Sequence, residues 1–159
     1  MKKLVFIIAL LFPFNIFAKS DELFSAFKEY SDNAKTAETV LPLMPYYSSK
    51  QYQSFELYFK HEDIKEGIDT LFSRLKFPSV LSDEKFHKEI VSKNKGCLVV
   101  SGLSQDNKRI SVYVGYVRSH RWLIDYINIE YISDSEDYLD MPICDNEVLM
   151  KKRMQAWGK

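Results

Sequence analysis

The sequence predicts an α+β fold in which N-terminal helices pack on a curved antiparallel sheet and a further helix closes the chain. Before Gly96, apolar residues recur at helical spacings of three and four. After it, runs rich in Val, Ile, Tyr and Trp alternate with short polar turns of the kind that join antiparallel strands. With 159 residues, 46% of them hydrophobic, the chain has the length and core material for one domain, predicted to span residues 19–159.

Four helices are predicted before Gly96, each from a capping residue followed by an amphipathic stripe. The clearest stripe belongs to the third helix, which Pro78 ends. Ser82 is then expected to cap a fourth, short helix that carries Phe86 and Ile90. The capping signals of the first three helices are Ser20, Ser48 with Gln51, and Asp63 with Glu66.

Three strands are predicted after Gly96, at residues 97–103, 109–118 and 122–132. The third strand is apolar on both faces, so it is either covered on both sides or bulged near Asp125. In the second strand, apolar side chains alternate in the half-buried pattern of an antiparallel sheet. Its core face carries Ile110, Val112, Val114 and Tyr116, and its other face carries Arg109, Ser111 and Tyr113. A last helix is predicted over 145–157, with acidic residues first and basic residues near its end.

The first 18 residues have the layout of a secretory signal peptide. Lys2 and Lys3 are followed by nine apolar residues at 4–12, and cleavage is predicted between Ala18 and Lys19. A membrane-spanning helix needs about 20 apolar residues, so stable membrane insertion is not expected, and a retained N-terminal anchor is the alternative. The sequence therefore predicts export to the bacterial periplasm, with an extracellular location as the alternative.

Export determines how the two cysteines are interpreted. Cys97 and Cys144 are the only cysteines, and a disulfide is the default for such a pair in an oxidising compartment. The alternative is one buried and one exposed free thiol. A catalytic cysteine would need a neighbouring His or a helix N-terminus to lower the pKa of its thiol, and neither flank supplies one.

Several function classes lack their signatures in this sequence. Lys+Arg and Asp+Glu are equal in number, at 22 each, which argues against a nucleic-acid partner. His61, His87 and His120 lie on separate elements without the spacing of a zinc site, and no metal site or cofactor is predicted. Residues 133–140, here called the acidic loop, lack the glycine of a calcium loop. A solvated loop is expected there, with weak calcium binding as the alternative.

The last two predicted strands resemble the closing hairpin of nuclear transport factor 2-like proteins, also called cystatin-like α+β cones. The resemblance lies in residues 113–127, YVGYVRSHRWLIDYI, with Trp122, Ile124 and Asp125 forming a Trp-x-Ile-Asp segment. It implies a cone-like pocket between sheet and helices, with Trp122 and Ile124 near its wall. It also implies a first strand directly after the opening helices. Residues 54–60 are the candidate for this strand, although the spacing of their apolar residues is that of a helix. The superfamily includes isomerases, dehydratases and non-catalytic binding modules.

Asp125 is the candidate catalytic residue that this resemblance suggests. Asp125 lies on the same face of the predicted strand as Leu123 and Ile127. A carboxylate buried among such residues would have a raised pKa and could act as a general base. The alternative is a bulge or rim residue paired with Arg118 or Arg121. No second polar residue at matching spacing supports the catalytic interpretation.

Because the sequence has no recognisable set of catalytic or cofactor-binding residues, the leading hypothesis is a protein-binding function without catalysis. Its most concrete form is a periplasmic immunity protein that blocks the active site of a toxin, such as a cell-wall or lipid hydrolase from an antibacterial secretion system. The alternatives are an isomerase or dehydratase that uses Asp125, and a carrier of a small apolar ligand; a homodimer stays open. The candidate pocket or interface residues are Tyr113, Tyr116, Trp122, Ile124, Asp134, Glu136 and Asp137.

Overall fold

The computed structural model describes residues 21–138, 140–148 and 151, and it confirms the α+β class. The predicted signal peptide lies outside the described residues. Within the predicted last helix, residue 145 is not helical, residues 146–148 and 151 are helical, and residues 149–150 and 152–157 lie outside the described residues. The elements are α1 Glu22–Thr36, α2 Ser49–Phe59, α3 Ile64–Lys76, β1 Leu81–Val91, β2 Lys95–Ser104, β3 Arg109–Arg118 and β4 Trp122–Tyr131, with 3-10 turns at Met44–Tyr46 and Phe77–Val80.

Helices α2 and α3 begin at the predicted caps, whereas Ser20, the predicted cap of α1, lies outside the described residues. The Ser48 hydroxyl accepts a hydrogen bond from the Gln51 backbone N–H at 3.4 Å, and the Asp63 carboxylate accepts one from the Glu66 backbone N–H at 3.1 Å. Residues 54–60, the candidate first strand, belong largely to α2, so that expectation is wrong. Its helical spacing prevailed because Phe55 is buried against the core from this helix.

All four strands form one antiparallel sheet in the order β1-β2-β3-β4. The helices cover one face of this sheet, and the predicted core face of β3 lies against them. The buried residues at this interface include Leu23 and Phe27 of α1, Phe55 of α2, Leu71 and Leu75 of α3, and Ile110, Val112 and Val114 of β3.

The predicted helix after Ser82 is wrong, because this segment is the edge strand β1. Phe86 and Ile90 are four residues apart, a spacing that places two side chains on one face of a helix and equally on one face of a strand. Pairing with β2, from Leu81 opposite Ser104 to Val91 opposite Gly96, decides between the two.

The second face of the sheet is covered in its middle by the chain that follows β4. Tyr113 is 0% exposed, in contact with Val99 and Ile143, so the half-buried pattern expected for β3 does not hold here. Cys144 is joined to Cys97 of β2 in a disulfide, with 5.1 Å between the Cα atoms. The Tyr126 hydroxyl donates to the Ile143 carbonyl, which fixes the same segment to β4.

Candidate functional site

Asp125 lies on a bulge in β4. Tyr126 pairs with Gly115 of β3 and Ile124 pairs with Tyr116, so Asp125 is the additional residue between them. This position is the one that the bulge alternative predicted. The bulge turns the Asp125 side chain toward the start of α2 rather than into the sheet's core face.

The Asp125 carboxylate holds α2 to the sheet. The Ser48 hydroxyl donates to Oδ1 at 2.9 Å, and the ammonium of Lys50 lies 3.8 Å from Oδ2. Neither Arg118 nor Arg121 pairs with it, so that part of the expectation is wrong. Both oxygens of Asp125 thus face groups of the same chain, which suits a structural anchor better than a general base.

The two arginines of the hairpin are used in contacts with aromatic rings instead. Arg118 lies over the Trp122 ring at 5.1 Å, and Arg121 lies over the Tyr46 ring at 5.1 Å. The Trp122 indole N–H donates to the Glu22 carboxylate at 3.0 Å. Trp122 therefore faces a surface hollow beside the start of α1, not an interior pocket wall.

Three of the predicted interface residues lie inside the protein. The exposed fractions of Tyr113, Tyr116 and Ile124 are 0%, 2% and 1%, so none of them offers a surface to a partner. Tyr116 instead lies near the buried hydroxyls of Tyr30 and Tyr47, which are 2.6 Å apart. Because the Tyr30 hydroxyl donates to the Leu75 carbonyl, the Tyr47 hydroxyl is the donor in this pair. Burial raises the pKa of all three of these core tyrosines.

A cavity of about 390 Å³ opens between the helices and the edge strand β4. Its described wall is mainly apolar, and Arg74 of α3 is the one charged side chain in it. Trp122 and Ile124 do not line this cavity. The lining residues come from α2 (Gln51 and Phe55), α3 (Ser73, Arg74 and Leu75), the turns (Tyr47, Phe77 and Pro78) and β4 (Ile127, Asn128 and Ile129).

The acidic loop is braced against the end of the sheet. The Arg109 guanidinium donates to the Ser133 carbonyl at 2.8 Å and lies over the Tyr138 ring at 4.4 Å. The Tyr138 hydroxyl donates in turn to the Gly102 carbonyl of β2 at 3.2 Å. Asp134, Glu136 and Asp137, the predicted loop candidates, are all exposed to solvent. Next to the loop, Tyr131 is 58% exposed.

A carboxylate from β1 caps the first helix, a contact that the sequence analysis missed. Glu89 Oε2 accepts hydrogen bonds from the backbone N–H groups of Leu23 and Phe24, both at 3.0 Å. Burial raises the pKa of Glu89, while these two hydrogen bonds oppose the increase. Nearby, His87 stacks on Phe24 at 3.8 Å between ring centroids. No cluster of three or more His, Cys, Asp or Glu suited to a metal ion occurs in the part of the chain that the structure describes.

No family model, curated protein or solved structure matches this chain. Within residues 21–138, 140–148 and 151, no helix has both the length and the apolar character that crossing a membrane requires.

Proposed function

We propose that the protein is an exported, non-catalytic binding module, and specifically a periplasmic immunity protein that inhibits an antibacterial toxin. The observation that supports this best is the acidic loop. Three of its carboxylates face solvent while Arg109 and Tyr138 hold its backbone against the sheet. Contacts of this kind reduce the conformational freedom that a loop loses on binding, so more of the interaction energy appears as affinity.

The charge of the loop indicates the kind of partner. A hydrolase that acts on an anionic cell wall or lipid surface gains substrate affinity from a cleft lined with cationic groups. Asp134, Glu136 and Asp137 would complement such a cleft and steer the encounter. The exposed Tyr131 ring beside them supplies the aromatic contact area that binding hot spots use.

The test uses the product of the gene adjacent to this one as the probe, co-expressed with the full chain. The charge-reversed loop variant Asp134→Lys/Glu136→Lys/Asp137→Lys is expected to weaken co-purification by about tenfold or more, because three interface charges change sign. The matched control reverses three exposed carboxylates at the start of α3, Glu62→Lys/Glu66→Lys/Asp69→Lys, and so makes the same change in net charge.

The control variant is expected to bind as the wild type does and to protect cells that express the toxin in the periplasm. Equal loss of binding in both variants would show that net charge, not the acidic loop, determines the interaction. Absence of any stable complex, together with absence of protection, would refute the immunity function.

A small-ligand carrier is the second candidate, because the cavity between α2, α3 and β4 gives it a specific site. At about 390 Å³ the cavity falls within the range of roughly 300–1,000 Å³ typical of small-molecule pockets. The isomerase or dehydratase alternative gains no such support, since the carboxylate of Asp125 is engaged by Ser48 and Lys50.

A further inference from the structure

We propose that the cavity binds a small apolar molecule with a single carboxylate, held by the Arg74 guanidinium. The cavity combines an apolar wall with one cationic group, which is the arrangement that matches an apolar tail and an anionic head. This inference rests on the second candidate function, the carrier, and is independent of the immunity function.

Arg74 has the free hydrogen-bonding capacity that a carboxylate needs. Its Nη1 donates to the Tyr58 hydroxyl at 2.9 Å, which fixes the guanidinium at the cavity wall. Among the described residues, no Asp or Glu oxygen lies within 4.0 Å of it, unlike the lysines paired with carboxylates elsewhere on the helices. A guanidinium has five N–H donors in a planar fork, so several of them stay available for a bidentate contact.

Tyr47 provides a second indication that the Arg74 charge acts inside the cavity. Both residues line it, and the positive charge of Arg74 lowers the pKa of the Tyr47 hydroxyl against the larger increase caused by burial. The Tyr47 hydroxyl itself donates to Tyr30 and is therefore not available to a ligand as a donor. Tyr58 does not line the cavity, and its hydroxyl serves only to hold the Arg74 guanidinium in place.

Apart from Tyr47, Gln51, Ser73 and Asn128, the rest of the wall is apolar and suits a hydrocarbon. Phe55 and Leu75 are among the cavity's apolar lining residues, and each is 1% exposed. Phe77 is 46% exposed at its rim, a large ring left in solvent where a bound molecule would cover it. Ile127 of β4 adds apolar surface on the opposite side. Transfer of an alkyl chain from water onto these side chains is favourable in proportion to the area that it buries.

Calorimetric titration of the full chain with octanoate, octan-1-ol and acetate tests the inference. Octanoate is expected to bind about tenfold more tightly than octan-1-ol, because only the acid forms charge-assisted hydrogen bonds with Arg74. Acetate, which lacks the chain, is expected to bind at least about tenfold more weakly than octanoate. Arg74→Gln should remove the preference for the acid and leave the affinity for octan-1-ol unchanged.

The matched control is Arg118→Gln, which removes an exposed guanidinium at the hairpin, away from the cavity lining. It should leave the affinity for octanoate within about twofold of the wild type, a difference too small to reflect a lost charged hydrogen bond. Equal binding of octanoate and octan-1-ol would overturn the role of Arg74 while the carrier function stands. Failure of both to bind at about 1 mM would overturn the inference and the carrier function together. Equal loss of octanoate binding in both arginine variants would place the acid outside the cavity.

Discussion

Removal of the disulfide between Cys97 and Cys144 is expected to lower the free energy of unfolding by about 4 kcal/mol. The two residues are 47 positions apart in the chain, and the stabilisation expected from closing a loop of that length has this magnitude in the chain-entropy model. The folded state also loses the covalent attachment that keeps Ile143 on Val99 and Tyr113. The double variant Cys97→Ala/Cys144→Ala makes the perturbation without introducing a hydroxyl at the buried Cys97.

Urea unfolding followed by circular dichroism measures the effect, with linear extrapolation to water. The wild type treated with a thiol reductant is the matched control, because it breaks the same bond without changing any side chain but the thiols. Both reduced protein and double variant should unfold at similarly lowered urea concentrations. Intact mass under non-reducing conditions should show the oxidised chain two hydrogens lighter than the reduced one.

A loss below about 1 kcal/mol in both samples would refute the reasoning, because it would mean that the bond does not restrict the unfolded ensemble. A large loss of unfolding free energy in the double variant, together with an unchanged urea midpoint in the reduced wild type, would instead attribute the loss to the alanine substitutions. In that case the side chains, not the covalent link, would stabilise the segment over the second face of the sheet.

Three further predictions concern single residues. Tyr30→Phe should cost about 1–3 kcal/mol in urea unfolding, because the Leu75 carbonyl loses its buried donor. Tyr116→Phe should leave the stability unchanged or raise it, because it removes a buried hydroxyl that has no partner among the described residues. Equal costs for the two substitutions would contradict this. Burial raises the pKa of Glu89 above its ordinary 4.5, so its contribution to stability is fully present below that pH and is lost as the pH rises through the folded-state pKa. Compared with Glu89→Gln, the wild type should therefore become more thermally stable as the pH is lowered from 7 to about 4. A difference in melting temperature between the two proteins that stays constant with pH would refute the raised pKa of Glu89. Gly102→Ala should lower the melting temperature markedly, because the added Cβ would lie 2.0 Å from a backbone oxygen of β1, and an unchanged melting temperature would show that β1 moves away.

Local signals in the sequence predicted local structure well. The caps at Ser48 and Asp63 need only residues three positions apart, and the structure has both. The bulge at Asp125 was one of two open alternatives for a strand that is apolar on both faces, and the pairing of β3 with β4 resolves it. Strand β1 was mistaken for a helix because its apolar spacing fits either element, and only the long-range pairing with β2 distinguishes them.

The candidate sites depend on contacts that no local pattern contains. The cavity brings Arg74 of α3 together with β4, which begins about fifty residues after α3 ends, so periodicity cannot locate it. Glu89 accepts from the backbone N–H of Leu23, which lies 66 residues earlier in the chain at the start of α1. The burial of Tyr113 likewise results from Ile143, which returns over the sheet after β4 has ended.

The disulfide and the acidic loop are physically linked, because the loop lies between the end of β4 and Cys144. Its first residues are fixed where Arg109 bonds the Ser133 carbonyl, and the chain beyond it is fixed again where Cys144 joins Cys97. A segment restrained at both ends samples few conformations when free, so little entropy is left to lose when its carboxylates meet a partner. The bond that stabilises the second face of the sheet thus also preorganises the surface for which we propose a binding function. Reduction would therefore weaken that surface even where the core of the protein stays folded.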